Sequence, residues 1–266
     1  MLKNIGEKGV RMTEDIQKAD IWKRISAGLF DFIITGILAV LFIFLFSALF
    51  GYTSVNSSLQ EKYSEYESKH GVVFQITADE YDSYPEAERE RWDSAYEDLV
   101  SDESVTRLYS KVVNMTLLMT TFGILAALLV WEFAVPIMIG NGQTVGKKVF
   151  GICLMRTSSV RINAICLFIR TVLGKFTIET MISVYIVIMI SFNAIGTVGP
   201  LILFLIAALN LIFFFTRNTR PLLHDLLADT CVVDYASQEI FESGEALLEA
   251  RKALARERAE KRDITY

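Results

Sequence analysis

The chain has 266 residues, 52% of them hydrophobic, with a mean hydropathy of +0.38 and a formal charge of −5. That apolarity excludes an ordinary soluble domain, and the charge is an average over opposed segments, so no nucleic-acid partner is expected. Cys153, Cys166 and Cys231 follow no metal-ligand spacing and fall on stretches assigned below to the cytoplasm, where thiols stay reduced. Neither a disulfide, a metal nor a cofactor is expected.

Residues 1–22 are polar and mixed in charge, and they read as a short amphipathic or frayed cytoplasmic leader with Trp22 at the membrane interface. The apolar run from Ile25 to Tyr52 is too long for a signal-peptide core and follows this charged leader, which predicts an uncleaved spanning helix over about residues 25–50. One carboxylate interrupts it, Asp31. Arg24 lies seven residues earlier, close to two turns and roughly 10 Å along the axis, so both side chains leave nearly one face. A carboxylate at that depth costs a few kcal/mol unless the fold supplies a partner or water.

Residues 51–111 are too long and too patterned for a linker. Leu59, Tyr63 and Tyr66 share a helical stripe, Thr77 and Glu80 have capping-box spacing, and Pro85 can open a helix in which Trp92, Tyr96 and Leu99 share a face. The pattern predicts a helical extracellular insertion. Its aromatic residues either pack the insertion on itself, the simpler reading, or meet a membrane or extracellular protein or the cell wall. The second span follows at about 112–138, with Glu132 near its inner end and Pro136 placed to kink or end it.

The connection Gly140–Lys175 carries Lys147, Lys148, Arg156, Arg161, Arg170 and Lys175 and no acid, whereas Gly51–Lys111 is strongly acidic. The Lys/Arg bias places both termini in the cytoplasm. Within the basic connection, Asn141–Lys147 reads as a tight turn and Val149–Met155 as a strand. The form Gly-x-x-x-x-Gly-Lys-Ser/Thr is missing, so a nucleotide phosphate loop is not expected. Arg161–Lys175 predicts an amphipathic helix on the cytoplasmic leaflet, its basic residues toward anionic lipid head groups. Spans at about 176–195, carrying Glu179, and 199–216, carrying Asn210, are separated by a turn at Ala194–Gly199 ahead of Pro200. Cys231–Tyr235 is a second strand; an isolated strand is unstable, so it should pair with the first. Residues 236–266 predict a solvated cytoplasmic helix, with self-association left open by a single three-heptad stretch. The expected fold class is an all-α polytopic membrane protein with four transmembrane helices, the leaflet helix, a two-stranded cytoplasmic β element and the helical extracellular loop, its membrane domain covering 23–235.

Three pieces in order resemble one family. They are Arg24-x-x-Ala27-x-x-x-Asp31, Gly142-Gln143-Thr144-x-Gly146-Lys147, and His224-Asp225-Leu226-Leu227-Ala228-x-Thr230. Together they resemble the RDD family of bacterial membrane proteins, over about residues 20–235 apart from the outer insertion. Val145 stands for the family's usual proline and Asp229 for its usual glycine. The resemblance implies that Arg24, Asp31 and Asp225 are the signature residues and that the protein resides in a bacterial cell membrane. It also implies that transport is one activity to weigh, since some members resemble cation/proton antiporters.

His224-Asp225 is the only histidine beside a carboxylate, and no Ser or Cys motif accompanies it, so no enzyme is expected. Asp31, Glu132, Glu179 and Asp225 all fall in the predicted cytoplasmic half, near His224 and the turn of Gly142, Gln143, Thr144, Gly146 and Lys147. A one-sided cluster reads as a cytoplasmic-side feature rather than a midplane ion site, and it fits a salt-bridged latch in which Arg24, Asp31 and Asp225 join the first span to the stretch after the fourth. Two functional readings stay open. One is a membrane scaffold or accessory subunit; the other is a small transporter, a cation/proton antiporter acting as a homo-oligomer.

Overall fold

The computed structural model describes residues 16–191, 196–217 and 219–263. The leader up to residue 15, the first two residues of the turn predicted at Ala194–Gly199 and the last three residues of the tail lie outside the described residues. Four described helices are long and apolar enough to cross a membrane: Ile21–Phe50, Glu103–Ile139, Ala164–Ile190 and Val198–Thr216. Their lipid-type side chains point outward, Phe32, Phe44 and Phe215 being 70–75% exposed, as expected of helices whose solvent is hydrocarbon.

In chain order, α1 (Ile21–Phe50) leads into α2 (Tyr52–His70), α3 (Ala78–Ser83) and α4 (Glu86–Ser101). Residues Leu38–Ile124 make one compact unit. Gly51, in the left-handed conformation, turns the chain out of α1. Thr77 and Glu80 form the capping box that opens α3. Leu59, Leu99 and Val105 are the buried core, closed by Tyr63, Tyr66, Phe74, Leu108 and Val112. Trp92 stacks on Tyr96 with centroids 5.2 Å apart, meets Tyr81 and Phe74 edge-on, and donates its indole N–H to the Val73 carbonyl. The insertion has its own core.

The other unit joins the chain up to Ile37 with everything from Leu125 onward. It contains the end of α5 (Glu103–Ile139), α6 (Val145–Val149), β1 (Ile152–Arg156), α7 (Ala164–Ile190), α8 (Val198–Thr216), α9 (Leu223–Leu227), β2 (Thr230–Asp234) and α10 (Gly244–Asp263). The strands pair antiparallel, Ile152 opposite Asp234 and Arg156 opposite Thr230. Both faces are covered. Ile152, Leu154 and Val232 join Ala19, Ala27 and Leu167 on one side, while Cys153, Met155, Cys231 and Val233 pack under Ile16 and Ile240 on the other. Burial pushes the Cys153 and Cys231 thiols up to about 12, which removes their thiolate reactivity.

Three local expectations change. The leaflet helix predicted at Arg161–Lys175 is not a separate element: Arg161 is extended, its N–H bonded to the Phe241 carbonyl, and α7 runs from Ala164 through the third span without interruption. The helix starts where Asn163 accepts the Cys166 N–H. The first strand begins three residues later than expected, because Thr144 caps Val145–Val149 as a short helix and Gly151 turns the chain with φ +66°. The end of the leader is not frayed: Ala19 donates to Val232, Gln17 accepts from Asp234, and Ala19 is 1% exposed.

Candidate functional site

Two stretches depart from α winding. Leu129–Ala134 in α5 and Ile169–Met181 in α7 are π-helical. A winding closed by i→i+5 bonds takes between four and five residues per turn and is concentrated at functional sites. Arg170, Gly174, Lys175 and Glu179 are therefore one or two such turns apart and share a face. In α5 the wide turn precedes Pro136, which has no N–H to donate. The Glu132 carbonyl finds another donor, the buried Thr171 hydroxyl of α7 at 3.1 Å. This ties the two widened segments together.

Asp31 occupies a cradle built by the turn ahead of α6. Its Oδ1 accepts from Trp131 Nε1 at 3.0 Å and from the Gly146 N–H at 3.1 Å. Its Oδ2 accepts from the Thr144 hydroxyl at 2.5 Å and lies 3.5 Å from Lys147 Nζ. Asp31 is 2% exposed, so these partners answer the desolvation that its position in the helix imposes. Gly146 is required by close approach: a Cβ there would lie 2.7 Å from Asp31 Oδ1 and 2.8 Å from the Ala27 carbonyl. Gly142 takes φ +63° against Leu154, and Gln143 donates to the Ile152 carbonyl, anchoring the turn to β1.

Lys147 also reaches Glu132 Oε2 at 3.5 Å, and Lys175 approaches Glu132 Oε1 at 2.5 Å. From Glu132 the chain of charges passes to Arg170, whose Nη1 lies 3.6 Å from Oε2. Arg170 Nε donates to Asp225 Oδ1 at 3.0 Å, and Nη2 is 2.9 Å from His224 Nε2. Arg24 closes the other side, 3.8 Å from Asp225 Oδ2, with its guanidinium on the Arg220 carbonyl and over the Phe214 ring. Thr230 and the Leu222 N–H supply Asp225's remaining donors. The first N–H groups of α9 are met in the same way, Leu223 by Asn210 and His224 by Glu179.

His224 has a defined tautomer. A guanidinium only donates, so Nε2 accepts from Arg170, and Nδ1 carries the proton toward Glu179 at 2.8 Å. Burial lowers the His224 pKa, with Asp225 and Glu179 opposing and Arg170 reinforcing the shift. Burial alone would raise the Asp225 pKa, but the Arg170 and Arg24 guanidinium groups hold it far below the usual carboxylate range. The native state thus binds fewer protons at His224 than the unfolded chain does. The stabilisation is complete above the unfolded value of about 6.5 and is lost as pH falls below it, with a slope of at most about 1.4 kcal/mol per pH unit. The melting temperature of the detergent-solubilised protein should fall between pH 7.5 and 5, and this component should vanish in His224→Gln. A flat profile would contradict the neutral assignment.

All the signature and supporting residues named from the sequence except Gly142 and Gln143, which brace the turn, meet in this network. The sharing differs from expectation. Arg24 and Asp31 leave one helix face but serve separate partners, Asp225 and the Thr144–Lys147 cradle. Arg170, Lys175 and Trp131 were missed as members. The signal available for Arg170 was a charge inside the apolar run Ile165–Leu173; the structure buries it to 2%. The family model described as RDD family matches residues 18–229. Neither the curated proteins nor the solved structures contain a match.

Proposed function

The chain belongs to the RDD family, and on that premise we propose that it is a scaffold or accessory subunit of the bacterial cell membrane, locked by the buried cluster and offering the 51–111 insertion to a protein partner. The observation that carries this reading is charge balance. Arg24, Lys147, Arg170 and Lys175 face Asp31, Glu132, Glu179 and Asp225, four against four, with His224 neutral. A resident cation site keeps carboxylate oxygens for its ion. Here protein donors occupy them, as a lock between α1, α5, α7 and α9 requires. The Lys/Arg distribution supports cytoplasmic termini, and the exposed Lys148 and Arg217 suit anionic head groups. No enzymatic chemistry is assigned.

Transport is the second reading, and one observation favours it: π-wound turns carry Glu132, Lys175 and Glu179, the last with a side chain 23% exposed. One experiment separates the two. In liposomes under a pH gradient the accessory reading expects no Na⁺ or K⁺ flux, and it expects Asp31→Asn to unfold or to leave the membrane. Flux that Asp31→Asn abolishes while the protein stays folded would assign transport, by an oligomer given four spans among the described residues. Crosslinking through the insertion should recover a stoichiometric partner, and its absence would remove the accessory role.

A further inference from the structure

Helix α4 carries an acidic surface that the core of the insertion leaves in solvent. Glu86, Glu90, Asp93 and Glu97 recur at i, i+4, i+7 and i+11, forming one stripe, and all four are exposed. Acids suit the first turn of a helix, where Glu86 sits. Beyond it, like charges three and four residues apart cost a few tenths of a kcal/mol per pair. Asp93 accepts the Tyr81 hydroxyl. The neighbouring base, Arg89, is committed to the Tyr84 and Asp82 carbonyls. Residues 51–111 hold fourteen acids against six Lys and Arg, so this stripe is the regular part of a wider negative field.

Alongside it runs an apolar edge. Tyr96 and Val100 follow one another by a turn on α4 and are 48% and 47% exposed, and Val73, bonded through its carbonyl to Trp92, is 55% exposed. The rings behind them are fixed: Trp92 stacks on Tyr96, and Phe74 meets both edge-on. A rigid aromatic support that presents apolar surface beside a row of acids matches the way a partner's amphipathic helix is read, with apolar anchors set beside charges of opposite sign.

We propose that this face of α4 docks a basic amphipathic segment of a partner protein, whose apolar side chains lie on Val73, Tyr96 and Val100 while its Lys and Arg residues meet Glu86, Glu90, Asp93 and Glu97. The proposal rests on the accessory reading and adds the chemistry of the partner. The charges set the encounter rate and its salt dependence, and the apolar edge sets residence.

The test uses the full chain in phosphatidylcholine nanodiscs and a short fluorescein-labelled Lys/Leu amphipathic peptide, with a Glu/Leu peptide and empty discs as controls. The Lys/Leu peptide should bind more weakly at high salt. It should lose about tenfold in affinity in the quadruple variant Glu86→Gln, Glu90→Gln, Asp93→Asn, Glu97→Gln. A similar loss is expected in Tyr96→Ser with Val100→Ser, where no charge changes. Glu61→Gln with Glu65→Gln on α2 should bind normally. Equal binding of the Glu/Leu peptide, an equal loss in the α2 variant, or no loss in the apolar variant would overturn the proposal. A photo-crosslinker at Glu90 distinguishes this failure from that of the accessory reading. A partner captured from Lys62 but not from Glu90 keeps the accessory role and removes this surface, as does capture of a second copy of the chain at Glu90.

Discussion

Replacing Arg170 by Met should cost about 3–5 kcal/mol of stability, the range for removing one partner of a buried ion pair. The size follows from what the side chain leaves behind. Arg170 is 2% exposed and stands between Asp225 and Glu132 while also donating to His224. Without it, Arg24 at 3.8 Å is the cation left to Asp225, beside the neutral donors Thr230 and the Leu222 N–H, and the cluster carries one buried negative charge too many. Methionine preserves much of the volume, so the loss is electrostatic more than steric. Lys23→Met is the contrast, because its pair with Asp234 is 44% exposed on the lysine side and should be worth at most about 1 kcal/mol. The double variant Arg170→Met with Asp225→Leu should recover part of the loss, since removing both charges restores the balance of the cluster and leaves Arg24 on the Arg220 carbonyl. Chemical unfolding in detergent measures these variants, together with Asp225→Leu alone, against the parent chain. Additive losses in the double variant would show that Arg170 and Asp225 do not act as a pair.

Arg170 also marks where reading the sequence stops. The spans were legible because an apolar run long enough to cross a bilayer has few alternatives, and the sheet because two short apolar strands had only each other. The location of Asp31, Glu132, Glu179 and Asp225 near one end followed from their places in those runs. The geometry of α7 did not. At α winding, Lys175 and Glu179 lie about 140° and about 180° around the helix from Arg170, so the stretch reads as a helix with scattered basic residues facing head groups. The π winding turns the same residues to one side, and hydropathy carries no signal for it. The partition of Arg24 and Asp31 was hidden for a simpler reason. Periodicity gives the face of a side chain, but the roughly 10 Å between them along the axis decides which neighbour each reaches, and those neighbours come from distant parts of the chain.

The second large effect concerns a glycine whose replacement looks harmless from sequence. Gly146 lies in α6, where Ala is the better helix former by about 1 kcal/mol, so local propensity predicts that Gly146→Ala stabilises. The structure predicts the opposite sign. The added Cβ would sit 2.7 Å from Asp31 Oδ1 and 2.8 Å from the Ala27 carbonyl, and the second of these is backbone of α1 that cannot swing away. Relief requires α6 to withdraw, which lengthens the Gly146 N–H contact and the Lys147 contact to Asp31 together. Overpacking of about 1–3 kcal/mol is then joined by a partly unsatisfied buried carboxylate. Gly28 supplies the comparison, since it too is helical, near the start of α1. A Cβ there meets nothing within 4 Å, so Gly28→Ala should gain about 0.4–1 kcal/mol. Two glycine-to-alanine changes in helices should therefore move the melting temperature in opposite directions. If both raise it, Asp31 is not held against α6 as described; if Gly146→Ala alone lowers it, the turn and the first helix are joined through that carboxylate.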